Sequence, residues 1–342
     1  MSKNYYIIPI FVPHEGCPHN CVFCNQDRIT GADDDVTGGT VKDTICEYLE
    51  TISNKNATIE VSFFGGTFTG IREEKQRELL QVAKEFKEKE LIDKIRLSTR
   101  PDYINDYILS YLKEYGVDII ELGVQSLDEE VLKKAGRGHS IQDVIDASRL
   151  VKQYGFVLGH QIMPGLPGDT FERDIATAKR SIEMEPDICR IYPSLVIKDT
   201  PMEKMYRCQE YIPYSLKEAV DISKTIYDMY RKNKINVIRI GLQPTESITE
   251  GKDVVAGPFH PAFRELVEGS LIADMILENL KEEKDVVIYI NPKDLSKLYA
   301  NKKIYFNKLK ENSKNIIVKQ DEDIKRGFIK LCLRDKKLDI IY

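Results

Sequence analysis

A chain of 342 residues and 39.3 kDa is too long for a peptide hormone or a small binding module and has the size of one large domain with an appendage. Its 42% hydrophobic and 31% charged residues, with a mean hydropathy of -0.35, exclude a disordered chain and supply a sizeable core. The net charge of -5 hides an asymmetry, because residues 285–342 hold 14 Lys plus Arg against 8 Asp plus Glu, a net of +6 that leaves -11 for the rest. That basic end is either a surface for a polyanion or a solvated Lys-rich surface.

No apolar run reaches the roughly 18–20 residues of a membrane span, and the opening MSKNYYIIPIFVPHEG, interrupted by Pro9 and Pro13, reads as no signal peptide. The 7 cysteines are unevenly placed: Cys17, Cys21 and Cys24 crowd one loop, while Cys46, Cys189, Cys208 and Cys332 are scattered. This is no secreted disulfide framework. The expected compartment is the cytoplasm, with no membrane partner and with reduced thiols free to bind metal.

In chain order, short β-branched runs alternate with longer amphipathic stretches, the rhythm of a parallel α/β sheet or barrel. The expected strands are Tyr5 to Val12, Thr58 to Phe64, Lys94 to Thr99, Asp118 to Val124, Phe156 to Met163 and Ile188 to Leu195. Helices are expected at Val41 to Thr51, Glu73 to Lys89, Ile104 to Tyr115, Ile141 to Tyr154, Thr170 to Glu185 and Ser215 to Lys232, with apolar residues three or four apart. Beyond them come an apolar run from Asn236 to Ile240, a polar loop reaching Pro261 and a helix from Ala262 to about Glu283. The last 58 residues read as a small α+β unit, with strands Val286 to Ile290, Asn315 to Lys319, Phe328 to Leu333 and Leu338 to Tyr342 and a helix between Pro292 and Glu311. The division expected is a core over 1–265 and a C-terminal helix with a small domain over 266–342.

Gly, Pro, Cys and polar clusters fall just after the strands, where a βα barrel builds its active site. Cys17-x3-Cys21-x2-Cys24 presents three soft thiolates, a set that suits zinc with a fourth ligand such as His14, His19 or Cys46, or a 4Fe-4S cluster with one open iron. The CxxxCxxC spacing, Phe23 before the last cysteine and Gly65-Gly66-Thr67 after the second strand together resemble the radical S-adenosylmethionine (radical SAM) superfamily. Within it the chain is most similar to the core of the Elongator catalytic subunit and its bacterial relatives. The segments STRPDYI, ELGVQS, GRGHS, MPGLPGDTFERD and RIYPSLVIKDT carry this likeness over Tyr5 to Phe263. The chain departs from Elongator in its ordinary cysteine spacing and in having only about 80 residues after this core, so no acetyltransferase-like domain is expected. GVQS and GLPG also resemble oxygen-independent coproporphyrinogen III oxidase.

The resemblance implies a partial (β/α)6 radical SAM barrel with a small α+β appendage, a 4Fe-4S cluster on Cys17, Cys21 and Cys24, and S-adenosylmethionine on its open iron. It also implies a reductant such as ferredoxin or flavodoxin, and oxygen sensitivity suited to anaerobic metabolism or a protected cytoplasm. Gly65, Gly66 and Thr67 match the segment that accepts the methionine ammonium, where glycine allows close backbone approach; a βα turn needing glycine is the alternative. Arg100 either pairs with the methionyl carboxylate or makes a salt bridge to a barrel acid. Gln125 and Ser126 stand where ribose hydroxyls are read, Gln161 with His160 beside it precedes the GLP turn, and Tyr192 lies near the adenine edge.

Substrate-side expectations fall on Arg137 and His139, which hold an anionic group or else belong to a helix cap before Ser140. Arg239, Glu246 and His260 are the others, in or before a loop too long and polar for a plain connection. The leading function is reductive cleavage of S-adenosylmethionine with action on RNA, foremost tRNA. Tyr299, Tyr305 and Phe306 among lysines suit RNA, and equally a core stripe at helical spacing. The alternatives are the same chemistry on a small metabolite such as a tetrapyrrole, and a non-catalytic metal-containing RNA-binding protein.

Overall fold

The computed structural model describes residues 4–12, 19, 21–25, 36–244, 248–249, 251–280, 285–313, 315–334 and 336–342. The apolar runs form β1 (Tyr5–Val12), β2 (Thr58–Gly65), β3 (Lys94–Thr99), β4 (Ile119–Gln125), β5 (Val157–Ile162) and β6 (Ile188–Ile191), parallel and in chain order. The sixth strand stops well short of Leu195. Pro193 has no N–H to continue a ladder, and the chain resumes as β7 (Val196–Ile197). The run Asn236–Ile240 forms β8, which pairs in parallel with β6 and makes this a seven-stranded sheet, while β7 pairs antiparallel with β9 (Val254–Ala256).

Helices α1 (Gly38–Thr51), α2 (Glu73–Glu88), α3 (Asp106–Glu114), α4 (Glu129–Lys134), α5 (Ile141–Gln153), α6 (Phe171–Glu183), α7 (Pro201–Arg207) and α8 (Leu216–Lys232) return the chain between strands. Thr37, Asn105, Ser140, Thr170 and Ser215 start five of them by accepting the backbone N–H three residues on. Helices α4 and α7 were not expected, being too short to display a helical period. Among the described residues, no helix is long and apolar enough to cross a membrane.

The two faces of the sheet differ in chemistry. Toward the helices point Ile8, Ile10, Val12, Val61, Phe63, Ile95, Leu97, Ile120, Leu122, Val124, Leu158 and Ile191, all buried. The opposite face carries Glu60, Ser62, Arg96, Ser98, Glu121, Gln161 and Arg190. Arg190 on β6 stands with its guanidinium carbon 5.3 Å from the centre of the Phe64 ring on β2. A flat sheet would separate those strands by about 19 Å, so the sheet curls into a half-barrel with its polar face inside.

The C-terminal unit follows α9 (Phe263–Leu280) and contains β10 (Asp285–Ile290), α10 (Leu295–Leu298), α11 (Ile304–Asn312), β11 (Asn315–Gln320), β12 (Phe328–Cys332) and β13 (Lys337–Ile341). Its sheet runs β11-β10-β12-β13. The helix expected between Pro292 and Glu311 is broken, because Asn301, Lys302 and Lys303 take φ values of 52°, 51° and 69°, which no right-handed helix accommodates. Phe306 is buried and Tyr299 and Tyr305 pack against the core, so of the two readings of these aromatics the core stripe holds. One hydrophobic cluster runs from Ile8 to Tyr342 through α8 and α9.

The turn after β5 rests on a pair of carboxyl groups. Gly165, at φ +82°, leaves room for the Tyr214 ring, which a Cβ would meet at 2.7 Å. Its N–H donates to Asp174 Oδ1 (3.3 Å), its carbonyl accepts from Tyr211 (2.6 Å), and Tyr214 donates to Asp174 Oδ2 (2.9 Å). Burial, reinforced by the charge of Asp169 beside it, raises the pKa of Asp174 far above the carboxylate range, so the pair keeps a proton at neutral pH. A folded-state pKa raised above the unfolded value contributes stability at low pH that is lost as pH climbs toward it. The stability of the wild type against thermal unfolding is therefore expected to fall by on the order of 1 kcal/mol per pH unit between pH 6 and 9 relative to Asp174→Asn, whose amide keeps the hydrogen bond without a proton to lose. Parallel pH dependences for the two proteins would refute the shared proton.

Candidate active site in the half-barrel

Cys17 lies outside the described residues, as does Glu246. Cys21 is buried and Cys24 half-buried, one turn apart, with the Cys24 N–H donating to the Cys21 carbonyl (3.0 Å). This turn is pinned by the two unexpected helices: Val22 N–H donates to Ala135 O at the end of α4 (3.0 Å), and Met202 N–H in α7 donates to Val22 O (2.8 Å). Phe23 packs with Val22 against Val131, Ala135 and Leu166 on one side and Val196, Met202 and Tyr211 on the other. Among the described residues no three His, Cys, Asp or Glu side chains converge as metal ligands.

Arg137 faces the cysteine turn. Its Nη1 donates to Cys21 Sγ (3.6 Å) and its Nη2 to Gly123 O (2.7 Å). Gly123 is what admits it, since a Cβ there would stand 2.6 Å from Nη2. Gly138, at φ +78°, similarly makes way for the His19 imidazole, 2.2 Å from where a Cβ would be. His139, 5% exposed, has neither ring nitrogen hydrogen-bonded. Burial above all, with the charges of Arg137 and Arg100, pushes its pKa down to about 2 and leaves it neutral. Ser140 caps α5 in a reciprocal box with Asp143, so the helix-cap reading of this knot applies to Ser140, and Arg137 sits on the cysteine side.

The β2 end meets the steric demand expected of its glycines. Gly65 has φ +104°, and a Cβ would lie 2.5 Å from Val12 O; Gly66 N–H donates to that same carbonyl (3.1 Å). Thr67 is buried at the start of a short 3-10 turn, Phe68–Gly70. Arg100 is bound by its neighbour, Nε and Nη2 donating to the two oxygens of Asp102 (2.9 and 2.8 Å), which is the salt-bridge alternative.

Gln125 takes φ +64°, is 6% exposed, and has an Oε1 with no hydrogen-bond partner among the described residues. Ser126 points elsewhere: its Oγ accepts from Asp128 N–H (3.2 Å) beneath α4. Gln161 is half-buried on the inner face, while His160 turns outward between Ser148 (2.9 Å) and Ser181 (2.8 Å) as a satisfied core histidine, its pKa pushed down to about 3 mainly by burial. Tyr192 accepts from Arg190 Nη1 (3.2 Å). His260 accepts the Ala262 N–H on Nδ1 (3.1 Å), and with Pro193, Leu195 and Phe263 lines a small pocket. Arg239 donates to Gly241 O (3.1 Å) and makes no ion pair among the described residues.

Sequence reasoning missed the charges at the centre of the interior. Arg96 reaches Glu60 through Nε (2.7 Å) and Nη2 (2.8 Å) and also bonds Glu121, which accepts from Arg190 Nε (2.9 Å); Tyr5 donates to Glu60. Gly159 opposite Glu121 opens the path, since a Cβ would come 2.7 Å from Glu121 Cγ. The signal was present: central parallel strands are apolar on both faces, so charges inside IEVSF, KIRLS and IIELG mark a polar interior. Removing one member leaves its partners buried and unpaired. Glu121→Ala is expected to cost about 3–5 kcal/mol in urea unfolding, and Glu121→Gln clearly less; a loss under about 1 kcal/mol for the alanine variant would show that the ladder does not hold the fold.

Two thiols on one turn, the unpartnered Gln125 Oε1, the unpartnered Arg137 Nε and the Gly65 edge form a donor set that fits a thiolate-held cluster beside a small polar ligand. Family models agree: that of the Radical SAM superfamily matches residues 11–180 and that of the Radical_SAM C-terminal domain residues 186–273. The chain is 29% identical over 255 residues to a tRNA uridine(34) acetyltransferase of Methanocaldococcus infernus, covering 63% of this chain and 48% of that one. It is 35% identical over 131 residues to human Elongator complex protein 3, covering 37% and 24%. It spans about half the length of the archaeal acetyltransferases it matches. The solved M. infernus Elp3 with an N-terminal deletion superposes on 97% of the chain and 74% of its own, with a TM-score of 0.64 at 23% identity, a likeness of fold. The half-barrel, its cysteine turn and these matches together make the chain a member of the radical SAM superfamily.

Proposed function

We propose that the chain is a radical SAM enzyme that binds a 4Fe-4S cluster on Cys17, Cys21 and Cys24, reductively cleaves S-adenosylmethionine and acts on RNA, foremost tRNA. The observation that carries the reading is the unpartnered Gln125 Oε1, held by a left-handed backbone beside the guanidinium that touches Cys21. Burying an acceptor without a partner costs free energy, and a ribose hydroxyl would repay it. The chemistry supplied by a bound cluster is one-electron cleavage of the sulfonium to methionine and a 5′-deoxyadenosyl radical.

The protein's own residues would then bind, orient and shield. The Gly65-Gly66-Thr67 edge receives the methionine ammonium, and Gln125, with Gln161 and Tyr192 on the same face, holds the nucleoside. Arg137 offsets the charge of the thiolate ligands and fixes Cys21 in orientation, and Arg100, engaged by Asp102, acts as a support. Arg239, with no carboxylate partner among the described residues and its pKa lowered chiefly by burial, would meet an anionic group of the substrate, with His260 and Glu246 at the rim. A ferredoxin or flavodoxin would bring the electron, in the cytoplasm.

The tRNA part is supported by the names of the relatives, and it concerns the core shared with them. The test is chromatographic detection of 5′-deoxyadenosine after anaerobic cluster reconstitution with dithionite and S-adenosylmethionine. Wild type is expected to form it, faster with total tRNA, while Cys21→Ala and Cys24→Ala form none and Gln125→Leu needs about tenfold more S-adenosylmethionine. No nucleoside under any condition, with iron and sulfide bound, would leave a binding module; stimulation by a tetrapyrrole in place of tRNA would move the reading to a small metabolite.

A further inference from the structure

The C-terminal sheet has one face against α9, α10 and α11, where Val286, Ile288, Ile290, Ile329 and Leu331 are buried. Among the described residues no helix or strand covers its other face. Across the four strands the register sets Lys319, Tyr289, Lys330 and Asp339 in one row and Ile317, Val287, Cys332 and Lys337 in the next, with Phe328 opposite Ile341 at the corner. Ile317 and Ile341 are 45% and 52% exposed. Lysine ammoniums lie over both aromatic rings, Lys319 at 5.6 Å from Tyr289 and Lys325 at 5.6 Å from Phe328.

We propose that this face is a platform for single-stranded RNA, on which Tyr289 and Phe328 stack bases while Lys319, Lys330 and Lys325 meet backbone phosphates. The inference deepens the RNA half of the reading above and rests on it. Three features favour this occupant. The unit carries a net +6 within an otherwise acidic chain, which is complementary to a polyanion and repels a second copy of itself. Tyr289 and Phe328 stand on neighbouring strands, on the same face and two residues out of register, and every base has a face to offer such rings. The lysines already over those rings are placed beside any base stacked there, so one side-chain shift exchanges ammonium for base and frees the charge for phosphate. A duplex, with its bases paired and stacked inside, cannot use the rings.

The full chain is titrated against a fluorescein-labelled 12-nucleotide oligouridine and a blunt 12-base-pair RNA duplex by fluorescence anisotropy, over a range of salt. Oligouridine is expected to bind more tightly than the duplex. Tyr289→Leu should weaken oligouridine by about tenfold and leave the duplex unchanged. Lys319→Gln with Lys330→Gln should reduce the slope of log affinity against log salt by about 0.7 for each lysine. Circular-dichroism melts and 5′-deoxyadenosine formation without RNA, both expected to match wild type, show that the variants are folded and that the half-barrel is untouched. Oligouridine affinity unchanged in both variants, with total tRNA still bound, would overturn the platform and leave the RNA reading standing. Failure of the wild type to bind tRNA or oligouridine would overturn both. A concentration-dependent dimer in light scattering that Tyr289→Leu dissolves would assign the face to a second copy instead.

Discussion

A guanidinium buried between two carboxylates, Arg96 between Glu60 and Glu121, is the constraint on which the interior depends. Each partner comes from a different strand, so the ion pairs fix the register of β2, β3 and β4 more strictly than backbone ladders alone. A slip by one residue would turn a charge into the layer where Val61, Ile95 and Ile120 meet the helices, at a cost no surface ion pair approaches. Arg190 extends the same chain of charges past Gly159 to β6, and in doing so must also approach Phe64. The curl of the sheet and the pairing of these charges are thus one fact. The reach of Arg190 is satisfied only if the sheet bends, and the bend encloses a space whose walls are polar.

That polar interior explains which parts of the site sequence reasoning recovered. Residues after the strands announced themselves through unusual types, such as the three cysteines, the Gly65-Gly66 pair and the GLPG turn, and the structure finds steric reasons for several of these glycines. The short β-branched and apolar runs located six strands to within a residue or two, except where Pro193 cut one short. What those runs hid was the difference between a polar face turned to water and one turned into a barrel. Glu60, Arg96 and Glu121 have the pattern of solvent-facing strand residues, and only the central, parallel position of their strands tells otherwise. Arg137 is hidden from sequence for a related reason: the direction of its side chain depends on the absence of a Cβ at Gly123 on β4.

The short helices α4 and α7 show how a motif acquires a rigid seat. Neither has the length to declare a period, and a helix of one or two turns has little stability of its own. Both are held by what they hold. Val22 donates one backbone hydrogen bond through its N–H and accepts one through its carbonyl, so the cysteine turn is clamped between two elements that would otherwise be marginal. Any element positioned by such mutual contacts is invisible to local propensity, because its stability lies in the partner.

The two aromatic sets of the C-terminal unit make the same point from the other side. Tyr299 closes α10 and Tyr305 and Phe306 lie in α11, and helices that cover a sheet turn their aromatic residues inward, so residues suited to base stacking end in the core. Tyr289 and Phe328 stand in strands, where successive side chains go to opposite faces and a sheet covered on one side only leaves alternate residues in solvent. Tyr289 and Phe328 on that face are half-buried and keep part of each ring accessible. Lysine stems laid over Tyr289 and Phe328 reduce that exposure without sealing the surface, since an ammonium over a ring is held weakly enough to be displaced. Covering of this reversible kind is what a surface needs if it is to stay soluble when empty and open to a polyanion when one arrives.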